Sequence, residues 1–193
     1  TTEIYTLSLH DALPIYDEQR ALRERFVKAI RSTPANITKD YEFEVNGAKG
    51  ATLASLFGDK NDLIVIHNMG RGCKYCTLWA DGLNGLLPHL TSRTSIVLMN
   101  GDSPDQQADI ARQRNWNFTM VRDADASFTK DMGFASEHDG KLHRMPGYST
   151  FYRHEDDSIE RVGFDFFGPG DVYMPVFPMF EMLKNGAADF RPE

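Results

Sequence analysis

Short β-rich apolar runs alternating with helical periodicities predict an α/β fold. The expected form is a three-layer α/β/α sandwich around a central mixed sheet, preceded by an N-terminal helical extension. Three observations carry this. Leu63–Ile66 (LIVI) and Ser95–Met99 (SIVLM) are apolar throughout, as strands buried on both faces are. Each is followed by a segment of helical character. Near the C-terminus, two β-rich stretches flank the charged turn His154-Glu155-Asp156-Asp157-Ser158, which reads as an antiparallel hairpin.

Composition agrees with a folded globular chain. The 193 residues are 41% hydrophobic and 25% charged, with a net charge of −7. A chain of this length buries a core without needing disulfide or metal staples. The acidic balance argues against nucleic-acid binding, which favours a basic face. Two cysteines are too few for a disulfide-stapled secreted scaffold. No apolar run approaches the length of a membrane span, so no membrane association is expected. A cytoplasmic location is the default expectation.

The first fifteen residues, TTEIYTLSLHDALPI, stand apart. They lack the basic front and compact apolar core of a secretory signal. They resemble, residue for residue, one reading frame of a common sequencing adapter. The expected organisation is therefore a non-native segment 1–15, an N-terminal helix over 16–38 and a single domain over 39–193.

Within 16–38, the apolar spacing of Leu22, Phe26, Ala29 and Ile30 predicts an amphipathic helix over 17–32, closed by Pro34. Tyr41, Phe43 and Val45 alternate with Glu42 and Glu44, as in a half-buried strand. Asn46-Gly47 marks a tight turn, with a return strand near Ala51 and a short helix from Thr52 to Phe57. After the LIVI strand, residues 73–90 read as a helix that Pro88 should kink or end. The SIVLM strand leads to a helix over 104–114, then a strand over 118–121 and a brief helix over 128–132. Residues 135–147 read as loop, 149–153 and 159–164 as the hairpin, and 174–184 as a last helix. A parallel βαβ core followed by an antiparallel hairpin and a helix is the order of thioredoxin-like folds.

The chemistry-bearing motif is Cys73-Lys74-Tyr75-Cys76. It follows a buried strand and opens a helix, the context in which C-x-x-C reads as redox. A sulfur at a helix N-terminus faces unpaired N–H groups and the positive end of the macrodipole, which favour the thiolate. Arg71 and Lys74 add positive charge nearby. Cys73 is the expected nucleophile and Cys76 the resolving thiol. Two other readings stand beside this one. The pair could be structural core cysteines, or half a zinc site completed by His67 and His89.

His67 lies six residues before Cys73, where thioredoxins carry a buried acid that moves the proton of the second cysteine. It is a candidate for proton transfer, with a hydrogen-bonded core histidine as the other reading. Pro146 is the candidate for the cis-proline that, in thioredoxin-like folds, presents a backbone edge to an extended substrate. Trp79 reads as core and Asp81 as a solvated or capping acid.

Several segments resemble the bacterial domain-of-unknown-function 899 family. They are Asp40-Tyr41-Glu42-Phe43, the run Leu53–Gly58, and above all Cys73–Leu90 (CKYCTLWADGLNGLLPHL). Asn115-Trp116-Asn117-Phe118, Asp131-Met132-Gly133-Phe134 and Pro146-Gly147-Tyr148-Ser149 also fit. The resemblance implies a thioredoxin-like protein, described in that family as a dithiol-disulfide oxidoreductase. Lys74 stands where many members carry proline.

The expected activity is thiol-disulfide exchange through Cys73 and Cys76, with His67, Arg71 and Lys74 tuning pKa or moving protons and Pro146 contacting substrate. No bound cofactor or metal is required. The expected partners are a protein or small-molecule disulfide substrate and a cellular dithiol electron donor, with self-association possible in principle through the aromatic C-terminal region. The competing class is a non-catalytic thioredoxin-fold binding module, or a peroxide-responsive switch.

Overall fold

The computed structural model describes the backbone from Leu9 and the side chains from Ala12 onward. The N-terminal half of the adapter-like segment, residues 1–8, lies outside the described residues. The chain divides into two compact units, Thr1–Pro34 and Ala35–Glu193. The first contains helix α1 (Leu9–Arg31), which begins earlier than its apolar periodicity suggests and contains Pro14.

The second unit is built on an eight-stranded mixed sheet. Its strands are β1 (Ala35–Ile37), β2 (Glu42–Val45), β3 (Ala48–Thr52), β4 (Asp62–His67), β5 (Ser95–Asn100), β6 (Thr119–Arg122), β9 (Gly147–Arg153) and β10 (Ile159–Phe166). The spatial order is β1-β10-β9-β4-β5-β6-β2-β3. The centre, β4-β5-β6, is parallel. The flanking strands β9 and β2 are antiparallel to it. The unit starts at Ala35 because β1 pairs with β10 at the sheet edge.

The fully apolar sequences of β4 and β5 follow from their position, since helices cover both faces. On one face lie α2 (Lys74–Thr91), α3 (Pro104–Arg114) and α5 (Val176–Glu181), joined to the sheet by Ile66, Trp79, Leu98, Met120 and Phe177. The other face carries the 3-10 turn Ala54–Phe57 and α4 (Ser127–Asp131), packed through Phe57, Leu63, Val65, Val97 and Phe128. The pleat sends alternate residues of each strand to opposite faces.

Three expectations are corrected. Residues 135–144 are not loop but a separate hairpin, β7 (Ala135–His138) with β8 (Lys141–Arg144). It is mostly exposed on both sides, so no apolar alternation marks it. Pro88 does not end α2, which runs on to Thr91. The ring is exposed, and so little of the helix follows it that the missing N–H and the crowding of the preceding turn disturb only its end. The last helix is only six residues: Pro175 is its N-cap, Pro178 sits in its first turn where no N–H is needed, and the chain after Glu181 continues as turns.

Candidate active site

The parallel strands β4, β5 and β6 end on one edge of the sheet. That edge is where open α/β sheets place their sites. The connection from β4 to α2 occupies it and carries both cysteines.

Cys73 is the N-cap of α2. Its backbone is extended, at φ −95° and ψ 101°, and its sulfur accepts the Cys76 N–H at 3.1 Å. A cysteine here does what serine or aspartate does at other helix starts, taking up an otherwise unpaired N–H. Hydrogen bonding to the Cys76 side chain is the largest cause of a Cys73 pKa lowered from 9.0 to about 6. Partial burial opposes it, and the N–H groups of Cys76 and Tyr75 add to it. The same bond, with burial, pushes the Cys76 thiol far up. One sulfur is thus held as thiolate and the other keeps its proton. Both cysteines are free thiols, Cys73 half-buried and Cys76 buried.

The remaining expected site residues are placed as follows. Arg71 and Lys74 are exposed on either side of Cys73. The main causes of the low Cys73 pKa are the partner thiol and helix N–H groups rather than these two charges. Arg71 serves the site through its backbone, its N–H donating to Asp102 Oδ2 at 2.7 Å.

His67 falls on the other face of the sheet from α2. It shares the pleat position of Leu63 and Val65, while Ile64 and Ile66 face the helix. Its ring stacks on Phe134 at 4.0 Å, and Nε2 is 3.0 Å from Ser149 Oγ. Nδ1 is buried without a partner. Burial, then Arg161 and Arg144, hold its pKa well below the ordinary histidine value, so the ring is neutral.

Pro146 immediately precedes β9, whose first residue Gly147 pairs with His67 of β4. Its position therefore fits the expectation, but its geometry does not. Every peptide bond among the described residues is trans. The Pro146 carbonyl accepts the Phe167 N–H at 2.9 Å, and the Met145 N–H donates to Phe134 at 2.8 Å. These bonds tie the backbone on both sides of Pro146 to neighbouring segments. Gly147 is glycine for a packing reason: a Cβ there would come within 2.4 Å of both Asp165 O and Phe134 Cε1.

Asp81 is a structural residue that the local sequence pattern misses. It pairs with Arg114 and accepts the Trp116 Nε1–H at 2.7 Å. Asn84, one turn on, accepts the Asn117 N–H at 2.7 Å and donates to Asn115 O at 3.1 Å. Between them, a Cβ on Gly82 would sit 2.6 Å from the Met174 sulfur. The specific W-A-D-G-x-N-G segment is thus a lock between α2 and the end of α3. Trp79 is buried and stacks on Phe167 at 5.2 Å. Among the described residues, no group of three or more His, Cys, Asp and Glu is arranged to hold a metal ion, and His67 and His89 do not gather around the cysteines. No helix among the described residues is long and apolar enough to cross a membrane.

A three-layer sandwich with a dithiol at the start of the helix following its central strand is a thioredoxin-fold protein. The sequence profile of the family described as bacterial protein of unknown function (DUF899) matches residues 11–188, and the chain belongs to that family. No curated protein matches it. Among solved structures, it is similar to the peroxidoxin BcpB of Mycobacterium tuberculosis. The TM-score is 0.57 at 20% identity, covering 69% of this chain and 84% of that one. It is also similar to the bacterioferritin comigratory protein of Xanthomonas campestris, with a TM-score of 0.51 at 18% identity over 65% and 80% of the two chains. A hypothetical protein of Sinorhizobium meliloti gives 0.52 at 17%, over 72% and 75%. At these identities the likeness is one of fold.

Proposed function

We propose that the chain is a thiol-disulfide oxidoreductase with Cys73 as nucleophile and Cys76 as resolving thiol. One observation carries this reading: the Cys73 sulfur caps α2 and accepts the Cys76 N–H, at the end of the helix whose unpaired donors favour a thiolate. A thiolate is the attacking form, and an attacking thiol works best with its pKa near ambient pH.

In the first step the Cys73 thiolate attacks one sulfur of a substrate disulfide. The S–S bond breaks, a mixed disulfide forms and the other substrate sulfur leaves as thiolate. Cys73 has then lost its charge and no longer raises the Cys76 pKa. Cys76 gives its proton to the departing thiolate and attacks Cys73. The second substrate sulfur leaves as a thiolate that takes its proton from solvent, and Cys73–Cys76 becomes the disulfide. The substrate has gained two electrons and two protons. A cellular dithiol donor returns the enzyme to its reduced form.

In this reading, exposed Arg71 and Lys74 act on Cys73 only as screened surface charges. His67 and Pro146 belong to the fold. His67 is neutral, dry and on the opposite face; the backbone flanking Pro146 is tied to Phe134 and Phe167.

Peroxide reduction is the second reading, favoured by the likeness in fold to a peroxidoxin and to a protein described as reducing alkyl peroxides. Here the Cys73 thiolate attacks the terminal peroxide oxygen, the O–O bond breaks and an alcohol or water leaves. The resulting sulfenic acid condenses with Cys76, releasing water and forming the same disulfide.

The test is equilibration in glutathione buffers, alkylation of free thiols and reading of the mass shift. A reversible two-electron transition that disappears in Cys76→Ser supports the dithiol reading. A wild type that stays reduced, or oxidises one sulfur at a time, contradicts it. Single-turnover oxidation by a disulfide or by a hydroperoxide then separates the two oxidants.

A further inference from the structure

The segment that delivers Cys73 to its helix has almost no side-chain packing of its own. Met69, Arg71 and Gly72 are all exposed. What fixes it is a short series of hydrogen bonds. Asn68 Oδ1 accepts the Gly70 N–H at 2.7 Å, and Asp102 Oδ2 accepts the Arg71 N–H at 2.7 Å. The Gly70 carbonyl then accepts the Cys73 N–H at 3.1 Å, closing the turn that leads into α2.

Asp102 reaches the segment from the loop after β5. Its carboxylate lies so close to Gly70 that a Cβ there would be 2.8 Å from Oδ1. Gly70 also has φ +104°, a conformation other residues rarely adopt, so glycine is required twice over. Asp102 is itself held from behind. Its N–H donates to Asn100 Oδ1 at 3.0 Å, and that oxygen also accepts from Gln107 Nε2 at 2.8 Å. Asn100 and Gln107 are buried polar groups with these bonds satisfied, so they form a rigid base. The Arg144 guanidinium lies beside Gly101, where a Cβ would be 2.7 Å from Nη2, and is electrostatically coupled to Asp102. It offsets a negative charge that would otherwise oppose a nearby thiolate.

We propose that Asp102 is a positioning residue for the dithiol: its carboxylate clamps the Gly70–Arg71 backbone, so that Cys73 enters α2 with its sulfur aimed at the first helical N–H groups. The inference rests on the reading of Cys73 as the nucleophile. Asp102 acts through the backbone hydrogen bond and not through its charge. Loss of the bond frees the segment and turns the sulfur away from its donors. Loss of the charge alone leaves the geometry in place.

The experiment is the rate of Cys73 alkylation against pH in the reduced full-length chain, for wild type, Asp102→Ala and Asp102→Asn, with Cys73 identified by peptide mass. In Asp102→Ala the titration should move up by about one pH unit and the rate at pH 6 should fall about fivefold. In Asp102→Asn the amide oxygen still accepts the Arg71 N–H, so the rate should stay within about twofold of wild type. An Asp102→Ala titration like wild type overturns the proposal. So does a downward shift in both variants, which would mean that charge is what matters, and so does an equal upward shift in both. A second measurement needs no variant. The Arg71 amide of the wild type should exchange with solvent at least about tenfold slower than in an unstructured peptide, although its residue is exposed. Exchange at the unstructured rate overturns the clamp even if Asp102→Ala fails to fold. A wild-type Cys73 titrating near 9 is a separate result, because it removes the nucleophile reading itself.

Discussion

His67 and Cys73 are six residues apart and end in opposite environments. His67 is the last residue of β4 and points into the aromatic face, against Phe134 and Phe128. The chain then turns at the sheet edge and places Cys73 at the head of α2, half exposed, on the other face. Both groups are titratable, and both have lowered pKa values, but for opposite reasons. Burial and two nearby guanidinium groups keep the imidazole uncharged. Hydrogen-bond donors keep the thiol charged. A lowered pKa in a base silences its charge; in an acid it creates one. Nearness in sequence to a reactive motif therefore does not place a residue in its site when the pleat of a strand intervenes.

The largest effect that would sharpen this contrast is at the sulfurs. Cys73→Ser should abolish turnover with disulfide or peroxide. Cys76→Ser should keep one attack and stop at a mixed disulfide or sulfenic acid, visible by intact mass. Full turnover in Cys73→Ser would break the assignment of nucleophile.

Next in size is the lock on the α2 face. Asp81→Ala removes the acceptor of the buried Trp116 N–H and the partner of Arg114. It should cost about 2 kcal/mol of unfolding free energy in denaturant titration, chiefly from the unsatisfied indole donor. The Cys73 alkylation profile should not move. A shift of that profile would tie the lock to the chemistry rather than to the fold.

A smaller effect is expected on the aromatic face. His67→Leu should leave the exchange rate within about twofold of wild type and its pH dependence unchanged, because the ring is neutral and faces away from α2. Ser149 keeps a partner, since Arg161 Nη2 also donates to its hydroxyl at 3.0 Å. Stability should change by no more than about 1.5 kcal/mol. Loss of an ionisation from the pH-rate profile would restore His67 to the mechanism.

The contrast also shows in the pH dependence of the reduced fold. A group with a folded pKa below its unfolded value adds stability above the unfolded value, and that stability is lost as pH falls through the folded pKa. For Cys73 the window runs from about 9 down to about 6. The reduced protein should therefore gain stability between pH 6 and about 8.5, a gain missing in Cys73→Ser. Above the ordinary thiol range the raised Cys76 pKa acts in the reverse sense. Identical pH-stability slopes for wild type and Cys73→Ser would contradict this.

Much of the frame was legible in the sequence. β4 and β5 announce themselves as central strands through unbroken apolar runs, and C-x-x-C between a strand and a helix marks the dithiol. The less legible parts depend on long-range partners or on edges. Asp81 reads as a surface acid until Arg114 and Trp116, more than thirty residues away, come to it. Asp102 carries no local motif, and its role exists only because the loops after β4 and β5 meet. The β7–β8 hairpin is too exposed to leave an apolar signature. His67 was ambiguous for a related reason: its spacing from Cys73 fits a proton-transfer residue, while strand parity, which requires knowing where the strand ends, sets its face.

Two thiols three residues apart are held in different protonation states. Limited alkylation of the reduced protein at pH 7, followed by peptide mapping, tests it directly. Cys73 should be labelled in preference to Cys76 by about a hundredfold or more, because only Cys73 is a partly exposed thiolate. Equal labelling of the two, or labelling of Cys76 first, would contradict it.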